Sequence, residues 1–354
     1  MTRLTTNLHC LFPFLLARHI THFMLFLEDL TEGCDQCENA GLRTLLRSVS
    51  DNVTLLAETG FGEGEICHRL VHPGIEKEDK QSIVISAALL VRQRKMLQNI
   101  LLRHDTLDTL LDTLEGVRGD AGEQSDIVRD CVYSLSQLTR YLGVACDDLS
   151  VSDVGVTECR RSETDMEDDL TLVCDDESEI RCNKSVICEA SSVFAAMLAG
   201  SFKESDKTRI RLRSTSSQSL TCLVHFLYTC NPDTCPQFSN LQADTLIELV
   251  TQSDKYLLGE LNLWACHSVL RHCHDPGHVG HIYRDSIQSN FPVIFGGRQE
   301  SLSRSLVTYI LVTDFTNKRR VGLVMAIVKE SLTSHLLHDI NHIIRPSLQL
   351  VTKK

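Results

Sequence analysis

Apolar positions in the first 145 residues recur at helical spacing. Leu89, Leu90, Met96, Leu97, Ile100 and Leu101 form one stripe, and Leu107, Leu110, Leu111 and Leu114 a second. Val128, Val132, Leu135, Leu138 and Leu142 make a third, with a polar, Gly-containing break over 115–122. No period-two alternation occurs there, so residues 1–145 are expected to form successive short helices. These fit an α-solenoid or a plain helical bundle, since no repeat of about 40 residues emerges. Over 146–168 the pattern stops and acidic residues outnumber Arg160 and Arg161. Such a segment buries too little apolar surface to offset its ordering entropy and reads as a flexible linker. From Asp169 the pattern changes again. Leu170–Cys174 and Glu179–Cys182, separated by the turn Asp175–Ser178, predict a hairpin. Lys184–Ala190 and Ser192–Ala199 predict two short helices, the second capped by Ser191 or Ser192. Ile210 and Leu212 alternate with Arg209, Arg211 and Arg213 as in a half-buried strand. Helical stripes follow at Leu220–Tyr228, Leu246–Leu257 and Leu261–Leu270, and after Pro276-Gly277 the pattern is helical to Leu350.

Composition narrows the class. Hydrophobic residues are 42% and charged residues 23% of 354, ordinary for a globular chain. The net charge of −12 opposes binding to phosphate backbones, and the one basic run, Lys318-Arg319-Arg320, fits a solvated helix end, so no nucleic-acid partner is expected. No run of 18 apolar residues suggests a membrane span, and no membrane partner is expected. The apolar stretch near the N-terminus contains His9 and Pro13 and lacks a small-residue cleavage site. It reads as a packing helix over Leu11–Leu30 rather than a signal peptide. The 15 cysteines are then expected to be reduced and buried, in a cytoplasmic or nuclear protein.

From Asp169 onward, short motifs occur in a characteristic order. They are Asp169-Leu170-Thr171-Leu172-Val173, Lys184-Ser185-Val186-Ile187, Ser191-Ser192-Val193-Phe194 with Met197-Leu198, and Ser201-Phe202-Lys203-Glu204-Ser205. Ile210-Arg211-Leu212, Phe226-Leu227-Tyr228-Thr229 and Ser253-Asp254-Lys255-Tyr256-Leu257 complete the set. In this order they resemble the BTB/POZ family over about 166–273. There are two departures: Asn183 stands where the family usually has His, and Cys230 where a Gly usually follows Tyr-Thr. Gly60-Phe61-Gly62-Glu63-Gly64-Glu65, running into Leu-rich helices, resembles the end of an armadillo-repeat array. The whole then resembles armadillo-repeat proteins that carry a BTB domain, with few repeats here. The expected fold is mostly α: an armadillo-like α-solenoid over 1–145, a linker over 146–168, a small α+β BTB/POZ domain over 169–275, and BACK-like helices over 276–354.

The resemblance implies a protein-interaction adaptor rather than an enzyme. BTB domains commonly dimerise through the first hairpin and helix, which points to Asp169, Leu172 and Lys184 at a homodimer interface. BTB adaptors of cullin-3 carry a hydrophobic-x-Glu loop, matched here by Phe202, Lys203 and Glu204. The resemblance implies a cullin-3 ubiquitin-ligase adaptor whose protein substrates include the largest subunit of RNA polymerase II. A self-associating BTB/armadillo scaffold without a ligase role is the alternative. Arg92, Arg94 and Lys95 form a locally basic stretch that could meet an acidic or phosphorylated substrate. No catalytic constellation, cofactor or metal site is expected. The glycine run at 60–64 lacks the Lys of a phosphate loop, and Cys34-x-x-Cys37 has no second pair at zinc spacing. His272, Cys273, His274, His278 and His281 are interrupted by Pro276-Gly277.

Overall fold

A computed structural model of the chain describes residues 74–103, 106–115, 124–146, 149, 159–163, 167–200, 202, 204–289, 292–295 and 298–349, with Phe26, Gly41, Thr44, Leu45, Ser48 and Val49 before them. The expected helix over Leu11–Leu30, the Cys34/Cys37 pair, the turn over Gly60–Glu65, Lys203 and most of 146–168 lie outside the described residues. Two compact units emerge, Met1–Cys146 with Val307–Lys354, and Asp147–Leu306. Among the described residues no helix is long and apolar enough to cross a membrane.

Among the elements with described bounds, the first unit holds helices α1 (Lys77–Leu90), α2 (Arg94–Gln98, running into a π turn over Asn99–Arg103), α3 (Thr106–Glu115) and α4 (Gln124–Tyr141). All three leucine-rich stripes are buried except Met96, which is half-buried. Helix α1 is buried continuously from Gln81 to Leu90, so it is a central helix covered on every side rather than an amphipathic one.

In the second unit, β1 (Leu170–Val173) pairs antiparallel with β2 (Glu179–Cys182) and parallel with β3 (Arg209–Arg211), giving the order β2-β1-β3. Leu172 sits at the centre, opposite Ile180 and Ile210. Helices α5 (Lys184–Ala190) and α6 (Ser192–Ala199) follow with the expected bounds. Asn183, the departure from the family pattern, is the cap of α5. Its Oδ1 accepts the N–H groups of Ser185 (3.0 Å) and Val186 (3.2 Å), and its own N–H donates to Tyr228 Oη at 2.7 Å. Ser191 Oγ caps α6 at Phe194 N and donates to Tyr256 O, while the Phe194 and Tyr256 rings stack at 4.4 Å. Helices α7 (Ser217–Leu227), α8 (Ala243–Lys255) and α9 (Gly259–His272) complete this core. The Glu248 carboxylate on α8 holds Ser216, the cap of α7, through its N–H and its hydroxyl.

The chain after Pro276 departs from expectation. Helix α10 (Pro276–Ser289) stays with the second unit, and a hairpin follows: β4 (Pro292–Phe295) paired with β5 (Arg298–Ser301). The sequence explains it, since Pro292 cannot donate inside a helix and Gly296-Gly297 is a two-residue hairpin connection between β-formers. Helices α11 (Leu302–Val312), α12 (Asn317–Lys329) and α13 (Thr333–Gln349) come next, and the unit boundary falls within α11. From Val307 onward the chain belongs with the N-terminal helices, not with a separate C-terminal region. Helix α12 packs on α4, and α13 on α2 and α3. Arg140 on α4 closes the end of α11, donating to Val312 O (3.1 Å) and Thr313 O (2.8 Å). Arg320 on α12, 0% exposed, donates to Ile310 O, Thr313 O and Phe315 O.

Candidate functional site

The loop after α6 is built to present an aromatic ring. Gly200 ends the helix where any Cβ would strike Ala196 O, so the chain must leave the helix bare of a side chain there. Phe202 O accepts both the N–H (3.1 Å) and the hydroxyl (2.8 Å) of Ser205, and Glu204 O accepts Lys207 N at 3.1 Å. The backbone is therefore held locally while the Phe202 side chain stays 60% exposed. Glu204 beside it is half-buried.

The three expected interface residues occupy different places. Lys184 Nζ donates to Ser205 O at 2.7 Å, so the ammonium at the start of α5 anchors the Phe202 loop. Asp169 Oδ1 accepts the backbone N–H of Lys184 at 2.6 Å and serves the opening turn of α5. Asp169 and Lys184 are thus engaged in contacts within one chain. Leu172 is a correction: it is 0% exposed, inside the sheet, because β1 is covered on that face by the core. A charge placed there would break the fold before it reached any interface.

Arg94 and Lys95 are exposed, as a solvent-facing basic pair requires. Arg92 is committed otherwise. Its guanidinium donates to Ala88 O and Val91 O at the end of α1 and lies 5.1 Å from the Tyr141 ring centroid. Its charge complements the helix terminus.

Three buried cysteines are unsuited to act as nucleophiles. Burial pushes Cys182 and Cys222 up to about 12 and Cys174 to about 11, the reverse of what a reactive thiolate needs. The His272–His281 group is dispersed among separate hydrogen bonds: His272 to Ser268 O, His278 to Asp275, His281 to Arg284. The sequence analysis missed a different set. Cys159, His225, Cys230 and Cys235 bring their ligand atoms within 4.8 Å of one another, the one such group among the described residues. The available signal was His225-x4-Cys230-x4-Cys235, with Cys230 standing at the position where the family pattern usually has Gly. The fourth member lies 66 residues before His225, inside the segment read as linker. That segment is not wholly solvated. Residues 160–163 form a 3-10 turn, Arg161 donates to Arg181 O at 2.6 Å, and Leu149 O accepts from Arg271.

A three-stranded sheet with one parallel pair, capped helical hairpins and a presented aromatic loop define a small α+β interaction domain. Residues 160–275 match the BTB/POZ domain family, and this part of the chain is a BTB/POZ domain. Two curated zebrafish (Danio rerio) proteins are similar over short stretches. Kelch-like protein 38 is 33% identical over 58 residues, 16% of this chain and 10% of that protein. Kelch-like protein 21 is 41% identical over 61 residues, 17% of this chain and 10% of its own length. The matched stretch spans about a tenth of the length of these relatives.

Proposed function

We propose that the chain is a non-enzymatic adaptor of a cullin-3 ubiquitin ligase, acting in the cytoplasm or nucleus. Its BTB domain holds cullin-3 through Phe202 and Glu204. The observation that carries this reading is the exposed Phe202 ring on a loop tied down by Ser205 and Lys184. A large aromatic exposed to water gains about 1.5–3 kcal/mol when a partner covers it. Lys203, outside the described residues, belongs to the same motif. A half-buried Glu204 beside the ring can accept hydrogen bonds from the rim of the partner's pocket. The BTB domain dimerises through the surface around Asp169 and Lys184.

The helical unit, armadillo-like in its leucine-rich pairs, recruits the protein substrate, with the RNA polymerase II largest subunit as the class the resemblance implies. Arg94 and Lys95 are the exposed cations offered to an acidic or phosphorylated segment, with Arg92 beside them.

Calorimetry of the full chain against the N-terminal half of cullin-3 tests the reading. Wild type binds, and Phe202→Ala with Glu204→Ala weakens binding at least about tenfold. Equal affinity in the double variant refutes it.

A further inference from the structure

The end of α7 is shaped to gather sulfur around one imidazole. Thr229 has φ 60°, a left-handed conformation that β-branched residues rarely adopt. It closes α7 with two reversed hydrogen bonds, Thr229 N–H to Phe226 O (2.9 Å) and Cys230 N–H to His225 O (3.1 Å). In this Schellman ending the residue after the left-handed one folds back beside the third residue from the helix end. Here those two residues are Cys230 and His225. Asn231 O then accepts Cys235 N at 2.9 Å, a further tight turn that returns Cys235 to the same place. Cys159 arrives from the other side, just before the turn Arg160–Glu163.

Three thiols converge on His225 Nδ1. Cys159 Sγ lies 3.3 Å from it, Cys235 Sγ 3.6 Å and Cys230 Sγ 3.7 Å. One ring nitrogen has a single hydrogen or a single lone pair, so it cannot hydrogen-bond all three thiols at once. A metal ion binds all four ligand atoms together. On a tetrahedral zinc, with Zn–S about 2.3 Å and Zn–N about 2.0–2.1 Å, a sulfur and a nitrogen stand about 3.6 Å apart. The observed separations bracket that value. His225, Cys230 and Cys235 are buried, at 7%, 2% and 2% exposure, and Cys159 is half-buried.

We propose that Cys159, His225, Cys230 and Cys235 form a structural zinc site. Three thiols and one imidazole favour zinc over hard cations such as magnesium or calcium. All four positions are filled by protein, which leaves no open coordination position for catalysis. On binding, each thiol gives up its proton to solvent and the imidazole coordinates in its neutral form through Nδ1. Three thiolates around a divalent ion leave one negative charge, and Arg161, close enough to act electrostatically on His225, offsets it. The ion fastens the segment before β1 to the end of α7. The Arg161 contact to Arg181 O, its stacking 5.5 Å from the Tyr228 ring and the Arg160–Thr229 contact reinforce the same joint.

The test uses the full chain purified without chelator under reducing conditions. Elemental analysis should find about one equivalent of zinc, and replacement by cobalt(II) should give the visible bands of a tetrahedral thiolate site. Cys159→Ser, placed outside the core so that the chain still folds, should lower retained zinc several-fold and alter the cobalt spectrum. Cys188→Ser on α5 should change neither. Absence of both zinc and the cobalt bands in folded wild type overturns the proposal, as does retention of full zinc with an unchanged spectrum in Cys159→Ser. A disulfide among these cysteines, detected by mass before and after reduction, overturns it as well.

Discussion

The BTB unit and the helical unit are assembled on different scales. In the BTB unit several capping and pairing contacts are close in sequence: Asn183 caps the helix that follows it, Ser191 caps the next, and β1 turns directly into β2. The longer contacts there, such as Ser191 to Tyr256 across 65 residues, are shorter than those of the helical unit. In the helical unit the decisive contacts are remote. Ser136 donates to Leu311 O across 175 residues, Arg140 to Val312 O across 172, and Gln98 to Leu348 O across 250. Local closure makes a module that reads as a motif string and recurs among relatives. Remote closure makes a module whose parts are individually plain helices, and whose identity depends on which helices meet.

The sharpest way to break this comparison is Arg320→Leu. The leucine leaves the carbonyls of Ile310, Thr313 and Phe315 without that buried donor, at a cost of about 3–5 kcal/mol. Hydrogen exchange should show protection lost in α11 and α12 with β1 unaffected, and equal loss in β1 would refute the division into two units. Next comes Leu172→Ala, which opens a cavity beneath the sheet and should lower the stability of the BTB unit by about 3 kcal/mol in urea denaturation. Loss of self-association with unchanged stability would return Leu172 to an interface. Asn183→Ala removes the cap of α5 and should cost about 1 kcal/mol, measured as a small fall in the urea midpoint. Smallest is Phe202→Ala, which should leave thermal stability within about 0.5 kcal/mol because the ring is already in water. A larger loss would mean that Phe202 supports the BTB core rather than a partner.

The sequence was most legible where backbone demands are local. The hairpin, both short helices, the Ser191 cap and the edge strand all stand where periodicity and capping residues placed them, because turn and cap chemistry acts over a few residues. The buried leucine stripes were equally plain. What covers them was not, since helical periodicity says that a face is buried but not against what. The hairpin after Pro292 was overlooked because the surrounding pattern is helical, although Pro292 and Gly296-Gly297 argued for strands. Within the candidate loop, Phe202 and Glu204 lie as the motif suggested. The anchoring role of Lys184 required knowing that α5 starts beside Ser205. The cysteine cluster was hidden for a similar reason: His225, Cys230 and Cys235 are spaced by five, but Cys159 joins them only through the fold.

The order of the units along the chain bears on how this protein is made. The N-terminal helices emerge from the ribosome first, yet the carbonyls that Arg140 engages and the helices that cover α2, α3 and α4 are encoded after residue 306. The BTB unit, complete by then and locally closed, can fold while the earlier helices still wait with apolar faces bare. Synthesis therefore finishes the second module before the first. A chain cut short between Leu306 and Val312 would release a folded BTB domain attached to helices that lack their other half, a species suited to chaperone capture and degradation rather than to assembly.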